Sequence, residues 1–385
     1  MKKDYQKLSI EVHKKVHGKL AVYSKLPIKN REDLSIVYTP GVAGPSLAIA
    51  KNKNLVKILT LKANSVAVIS DGSAVLGLGN VGPEAALPVM EGKAVLFKEF
   101  ANVDAYPICL ATQDAEEIIK TIKNISVGFG GINLEDISAP RCFEIETRLK
   151  KELSIPVMHD DQHGTAIVVL AALINALKVV KKDEKKIKLV INGAGAAAIA
   201  IANLLMEYGF MGKNMIMVDT QGIIYKGRRD LNRYKAEIAR KTNPSKVKGE
   251  LDTALDSADV FVGVSVAKAL HPSWVERMTK DPVVIAMANP NPEISLEDAR
   301  KTKIKVFGTG RSDWPNQINN SLVFPGVFRG ALDAGARQIT TEMKIAAAKA
   351  LANVVKKPTA EKIIPGPFDK GVVPAVANAV RKLAS

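Results

Sequence analysis

Cysteine is nearly missing from this chain: Cys109 and Cys142 stand alone among 385 residues. Two thiols cannot build a disulfide framework, and their spacing does not match a zinc site, so a reducing compartment fits. Aromatic residues are also scarce, at 5%. No run reaches the roughly 18 apolar residues of a membrane span. Met1-Lys2-Lys3-Asp4-Tyr5 carries charge where a secretory signal needs an apolar stretch. The expectation is a cytoplasmic protein with no membrane partner.

What is present is ordinary for a folded chain: 47% hydrophobic residues, 24% charged, 27 Gly and 19 Pro exclude disordered, collagen-like and fibrous classes. The length exceeds what one core usually serves, so two domains are expected. The net charge of +16 raises the question of nucleic acid. Its distribution argues against that reading, because residues 1 to 62 hold 13 Lys or Arg against 4 Asp or Glu without interleaved aromatics or a zinc-finger or RNA-recognition pattern. The basic surface reads as solvated helix faces, with some steering of an anionic substrate.

No internal repeat divides the chain, so its boundaries come from changes of pattern. Up to about residue 160, short apolar runs (Val66 to Ser70, Ala105 to Cys109) mix with helical stretches and a glycine-rich segment, Asp71 to Gly82. Beyond it, strand and helix alternate. The predicted strands Ile187 to Asn192, Met215 to Asp219, Val260 to Val264, Val283 to Ala288 and Lys305 to Phe307 are apolar on both faces, as a buried parallel sheet requires. The fold class is therefore α/β: an N-terminal α/β domain over 1–160, and a doubly wound Rossmann-type domain over 161–385. Thr165 to Val180 reads as a buried helix linking the two, too short for a membrane span. Two Ala-rich helices, Thr340 to Val355 and Gly371 to Leu383, follow, and either domain could receive them.

The strand ending at Asn192 runs into Gly193-Ala194-Gly195-Ala196-Ala197-Ala198, a G-x-G-x-x-A fingerprint opening a helix. Gly193 permits the tight turn, Gly195 lets the backbone approach a pyrophosphate, and Ala198 allows close helix-sheet packing. The N–H groups of Ala196 and Ala197 begin a helix whose positive end favours the anion. The next strand ends in Asp219, placed to accept the adenosine ribose hydroxyls. Thr220 follows it rather than arginine, which favours NAD, since a lone carboxylate repels a 2′-phosphate. Lys226, Arg228, Arg229, Arg233 and Lys235 lie just downstream, and any of them can fold over a phosphate, so NADP stays open.

Two acidic pairs, Glu135-Asp136 and Asp160-Asp161, offer hard oxygen ligands suited to Mg²⁺ or Mn²⁺. His159 and His163 flank the second pair without the spacing of a zinc protease, which leaves them a structural role. Five segments, in their shared order, make the chain resemble the short bacterial malic enzymes over nearly its whole length. These are Val37-Tyr38-Thr-Pro-Gly-Val-Ala43, Ser70 to Gly79, Pro88-Val-Met-Glu-Gly-Lys93, Asn133-Leu-Glu135-Asp136 with His159 to Thr165, and Asn319-Asn-Ser-Leu-Val-Phe-Pro-Gly326.

The resemblance implies metal-dependent oxidation of L-malate to pyruvate and CO₂ with reduction of NAD or NADP. By that resemblance Glu135, Asp136 and Asp161 hold the metal. Lys93 takes the hydroxyl proton, which requires its pKa to be lowered by metal and burial. Tyr38 protonates C3, and Asp160 orients Lys93 or a metal-bound water. Asn289 and Asn320 bond the substrate carboxylate or the nicotinamide amide, and a homodimer is implied. The resemblance fails at Ala74, where larger relatives carry an arginine for the substrate carboxylate; a partner subunit's basic N-terminal region is the expected substitute. Two other readings compete. One is malolactic or oxaloacetate decarboxylase chemistry at the same site; the other is a basic dinucleotide-sensing protein without catalysis.

Overall fold

The computed structural model describes residues 4 to 75 and 77 to 384, so Met1 to Lys3 of the charged start and Leu76 of the glycine-rich segment lie outside the described residues. Two parallel sheets organise the chain. The first is built from β1 (Ser65–Ser70), β2 (Asp104–Cys109), β3 (Gly131–Leu134) and β4 (Val157–His159), in the order β2-β1-β3-β4. Every residue of β1 is buried, because helices cover both faces, as a parallel sheet demands.

The second sheet contains β5 (Leu189–Asn192), β6 (Met215–Asp219), β7 (Gly222–Ile223), β8 (Val260–Gly263), β9 (Val283–Ala286) and β10 (Val306–Thr309), in the order β10-β9-β8-β5-β6-β7. The five strands expected there all form, within about two residues of the expected bounds at each end. β7 adds an antiparallel edge that the apolar runs did not announce. The order reverses direction between β5 and β8, and the carboxyl ends of those two strands open the crevice where doubly wound sheets bind ligands.

The linking helix, expected from residue 165, begins at Asp160 and ends at Val180. The second acidic pair is therefore its first turn rather than a loop, where the positive end of the helix favours carboxylates. Among the described residues it is the one helix long and apolar enough to cross a bilayer, contrary to the expectation that it is too short, yet 67% of its apolar window is buried inside the fold. Asn175, fully buried within it, donates to the carbonyls of Ala352 and Ile363 and so ties the C-terminal segments to it.

The C-terminal helices pack on both halves. Thr341–Val354 lies along Asp160–Val180, and Val372–Arg381 lies along Phe324–Asp333. Phe324 and Phe328 in turn meet Phe97 of the helix Pro83–Ala101 edge to face, at 4.7 and 5.5 Å between ring centres. One apolar core consequently runs from the first sheet into the second.

The N-terminal region differs. Residues 4 to 64 form helices Tyr5–Val16, Arg31–Val37, Ala43–Lys51 and Val56–Leu59, and none of these residues is buried in the single chain. Large apolar side chains such as Ile10, Val22, Leu26, Ile36 and Leu47 stand exposed along this arm.

Candidate active site

β3 and β4 are neighbours in register, with Leu134 opposite His159. The residues that follow each strand end side by side, which brings together two acidic pairs 25 residues apart in sequence. One ligand oxygen from each of Glu135, Asp136 and Asp161 lies within 4.8 Å of the others. Asp136 takes a left-handed backbone (φ 54°), and its N–H donates to Asp161 Oδ2 at 2.8 Å. Asn133, quoted above in its segment but given no role, donates to Glu135 Oε2 at 2.9 Å. A set of carboxylate oxygens this close together fits a hard divalent cation such as Mg²⁺ or Mn²⁺. Asp160 Oδ1 and Asn133 Oδ1 are buried with no hydrogen-bond partner among the described residues, leaving acceptors for water or ligand beside the cluster.

Lys93 reaches this cluster from the helix Pro83–Ala101. It belongs to the stripe Ala86, Met90, Lys93, Ala94, Phe97 and Ala101 that faces the core, so the helix period itself drives its stem inward. Its Nζ lies 2.6 Å from Asp160 Oδ2 and 2.9 Å from Glu135 Oε1, and 4.2 Å from the ring centre of Phe324. The expectation of a lowered Lys93 pKa rests on a bound metal; in the chain alone the balance runs the other way. Burial does push the amine down, but Asp160, Glu135 and Asp161 together outweigh it and hold the amine above its ordinary value. Burial raises Asp160 to about 7, against the pull of Lys93. Gly164 makes room for this carboxylate, since a Cβ there would fall 1.8 Å from Asp160 Oδ1 and 3.1 Å from the Cβ of Asn320. Asn320 thus borders the same first turn.

The chain does not join Tyr38 to Lys93. Tyr38 ends the helix Arg31–Val37 and is 67% exposed, whereas Lys93 is 8% exposed. Asn289 is exposed at the carboxyl end of the second sheet, next to a cis Asn289–Pro290 bond. A Cβ on Gly77 would sit 1.9 Å from the Asn289 carbonyl oxygen, so the glycine-rich loop of the first half packs directly against this segment. Ala74 donates its N–H to the Asp136 carbonyl. No arginine stands at that position, but Arg141 enters the same loop from another element and pairs with buried Asp71 at 2.9 Å.

Gly193 and Gly195 occupy the crevice between β5 and β8. Gly193 has φ +133°, and a Cβ there would lie 2.9 Å from the Val264 carbonyl, so the turn requires glycine. A Cβ on Gly195 would meet nothing within 4 Å, so its backbone faces open space. The helix Ala196–Tyr208 starts there with Ala196 and Ala197, and Ala198 is buried. Asp219 ends β6 beside this turn, its carboxylate paired with Arg228 and Lys235 at 2.5 Å each.

One buried network went unanticipated. Glu146 accepts from the His159 N–H at 3.1 Å and from Gln162 Nε2 at 3.4 Å, and lies 2.9 Å from His163 Nε2. On the other side of the ring, His163 Nδ1 meets Lys344 Nζ at 2.9 Å. The structural role expected of His163 takes this form. Burial lowers Lys344 to about 7, despite Glu146, and lowers His163 to about 4. The network holds the first turn of Asp160–Val180 from behind and lines a separate cavity of about 450 Å³.

Comparison with known proteins follows the same division. Residues 17–150 match the family model of the malic enzyme N-terminal domain, and residues 162–384 that of the malic enzyme NAD binding domain. A bifunctional malic/malolactic enzyme of Bacillus subtilis is 56% identical over 379 residues, covering 98% of this chain and 92% of that protein. An NAD-dependent malic enzyme of Geobacillus stearothermophilus is also 56% identical, covering 96% of this chain and 77% of that protein. The crystal structure of an NAD-dependent malic enzyme from Thermotoga maritima superposes with a TM-score of 0.94 at 48% identity, over 97% of this chain and 98% of that one.

Proposed function

This chain belongs to the malic enzyme family, and from that premise we propose how its own residues carry the reaction. The activity is oxidative decarboxylation of L-malate to pyruvate and CO₂ with reduction of NAD or NADP. The observation that carries the residue roles is the placement of Lys93 inside the acidic cluster, 2.6 Å from Asp160 and 2.9 Å from Glu135.

Glu135, Asp136 and Asp161 would hold Mg²⁺ or Mn²⁺, which when bound acts as a Lewis acid on the malate oxygens and offsets the negative charge that keeps Lys93 protonated. Lys93 then accepts the C2 hydroxyl proton while hydride leaves C2 for the nicotinamide. Asp160 aims the amine. Once CO₂ has departed, Tyr38 delivers one proton to C3 and is recharged by Lys93, which thereby sheds the proton it took from the C2 hydroxyl. Asn320, beside the first turn that carries Asp160, and Asn289 bind a carboxylate or the nicotinamide amide. Gly193 to Ala198 cradle the pyrophosphate. The proposed division is a substrate and metal part over 1–160 and a dinucleotide part over 161–385, with Asp161 reaching the metal cluster from the first turn of the linking helix.

The working unit is a homodimer in the cytoplasm. An arm over residues 4 to 64 with no buried residue and many exposed apolar side chains does not reach its stable packing in one chain. A second copy covers it, and Tyr38, distant in contact from Lys93 of its own chain, meets Lys93 of the other. The malolactic alternative keeps the same site and is favoured only by the bifunctional B. subtilis relative.

The deciding experiment is nicotinamide reduction with L-malate and Mn²⁺, run with NAD and with NADP, with and without chelator, and with product analysis. Pyruvate formed only with metal supports the reading. Lactate without net reduction moves the reaction to the malolactic alternative.

A further inference from the structure

We infer that the cavity behind the metal cluster is a second ligand site, which takes a small carboxylate with an apolar body and meets its anionic head with Lys344 and Lys150. The proposed reaction makes no use of this space.

The cavity, of about 450 Å³, has the size of a small-molecule pocket. It lies among the helices Arg141–Glu152, Ala196–Tyr208 and Arg233–Lys241 and the first turns of Asp160–Val180 and Thr341–Val354, so both halves of the chain build it. Its described lining includes neither the acids of the metal cluster nor Gly193 and Gly195. Much of that lining is apolar. Phe143, Ile199, Leu204 and Ile238 are buried side chains there, and the ring of Tyr234 packs on Phe143 at 4.3 Å between centres.

The polar part centres on Lys344, which is 6% exposed because it shares the inward stripe of Met343 and Ala347. Its Nζ makes one hydrogen bond, with His163 Nδ1 at 2.9 Å, and pairs with no carboxylate among the described residues. Glu146 lines the cavity as well, but its oxygens are engaged by the His159 N–H, Gln162 and His163. An ammonium carries three donors, so two remain for whatever enters. A buried amine in that condition is costly unless it sheds its proton or gains a counter-ion.

A carboxylate in the cavity would supply that counter-ion and accept the spare donors, while its apolar body covers the Phe143 and Ile199 side. Lys150, half-buried on the helix Arg141–Glu152, adds a second amine that pairs with no carboxylate among the described residues. Glu207, Glu237 and Lys241 line the cavity too, but they are exposed, where water and salt weaken them. A cation in the same place would meet two amines and an acid already engaged.

The anion also holds a proton in place. Lys344 is faced by Glu146 and Lys150 from one helix, by His163 from another and by the exposed charges, and burial leaves it at about 7. At pH 8 most of the amine is therefore neutral, and binding an anion beside it draws a proton from solution.

The test is calorimetric titration of the intact enzyme with benzoate and with benzamide, its neutral counterpart of the same shape, in buffers of different ionisation heat. Benzoate is expected to bind about tenfold or more tightly than benzamide, as a charge-assisted hydrogen bond implies. It should take up about one proton at pH 8 and little at pH 6, where the amine is already charged. Lys344→Met should abolish both the preference and the uptake. Lys150→Met should weaken benzoate by about tenfold and keep the uptake, and it decides the matter if Lys344→Met fails to fold. Equal binding of the two probes, binding of neither, uptake that survives Lys344→Met, or unchanged benzoate affinity in Lys150→Met overturns the inference.

Discussion

Lys93 Nζ donates to Asp160 Oδ2 at 2.6 Å, between a helix of the first half and the first turn of the linking helix, 67 residues apart in sequence. Few contacts in the chain are so short and so fully buried. Removing Lys93 leaves Asp160 buried without a cation, and removing Asp160 leaves Lys93 with Glu135 at 2.9 Å as its remaining close partner, so the pair is a positional constraint as much as an electrostatic one.

From this pair follows a kinetic expectation. Asp160→Asn keeps the shape but no longer draws the Lys93 proton, and kcat should fall by about 10²- to 10⁴-fold with little change in dinucleotide affinity. Lys93→Ala should remove turnover. Steady-state kinetics in saturating Mn²⁺ decide it: an Asp160→Asn enzyme with a raised KM and an intact kcat would assign Asp160 to substrate binding instead.

Tyr38 and Lys93 allow a genetic-style test of the dimer. Tyr38→Phe and Lys93→Ala chains should each be inactive alone. Exchanged freely in a two-fold dimer, they should regain about a quarter of the normal sites, because half the dimers are mixed and each mixed dimer has one intact pairing. If both residues of a site come from one chain, mixing restores nothing.

Glu146 touches no proposed ligand, yet it accepts the His159 N–H and also contacts Gln162 and His163. Glu146→Gln replaces an anionic acceptor with a group that must also donate. The expected result is about a tenfold or greater weakening of Mn²⁺ affinity, as for other residues that orient ligands from behind, and a lower melting temperature. Calorimetric titration with Mn²⁺ measures the first; unchanged affinity would reduce Glu146 to a purely structural role.

Lys344 predicts a slope of stability with pH. Burial depresses its pKa from 10.5 to about 7 in the folded chain. Between those two values the unfolded chain holds a proton that the folded chain has shed, so stability rises with pH across that window. The rise should be about 3 kcal/mol from pH 7 to 9.5 at 1.36 kcal/mol per unit. Urea unfolding of the parent and of Lys344→Met isolates the term, and parallel pH profiles would refute it.

The second sheet was legible because its strands are buried on both faces and read as unbroken apolar runs. The fingerprint was legible because its glycines serve backbone geometry. β3 and β4 were not: at 4 and 3 residues, with Asn133 and His159 inside them, they show neither run nor alternation. The acids could be named without these strands, but not their adjacency. Glu146 was missed because the helix Arg141–Glu152 looks like a solvated surface by composition. A finer signal was present. Glu146 shares the helical stripe of Cys142, Ile145 and Leu149, as Lys93 shares that of Met90 and Phe97 and Lys344 that of Met343 and Ala347. An ionisable residue at an apolar position of a helical period marks a buried network. The balance at Lys93 without metal was not legible for a different reason: burial can be inferred from pattern, but not the distances at which carboxylates from other elements converge on the amine.

Among the described residues every strand, the glycine-shaped turn of the dinucleotide crevice and all of the acidic cluster lie beyond residue 64. A chain trimmed to that point would lose no part of either sheet and would shed its stickiest surface. On the homodimer proposed above it would gain solubility and lose catalysis together, because the arm proposed to meet a second copy is also the one that carries Tyr38.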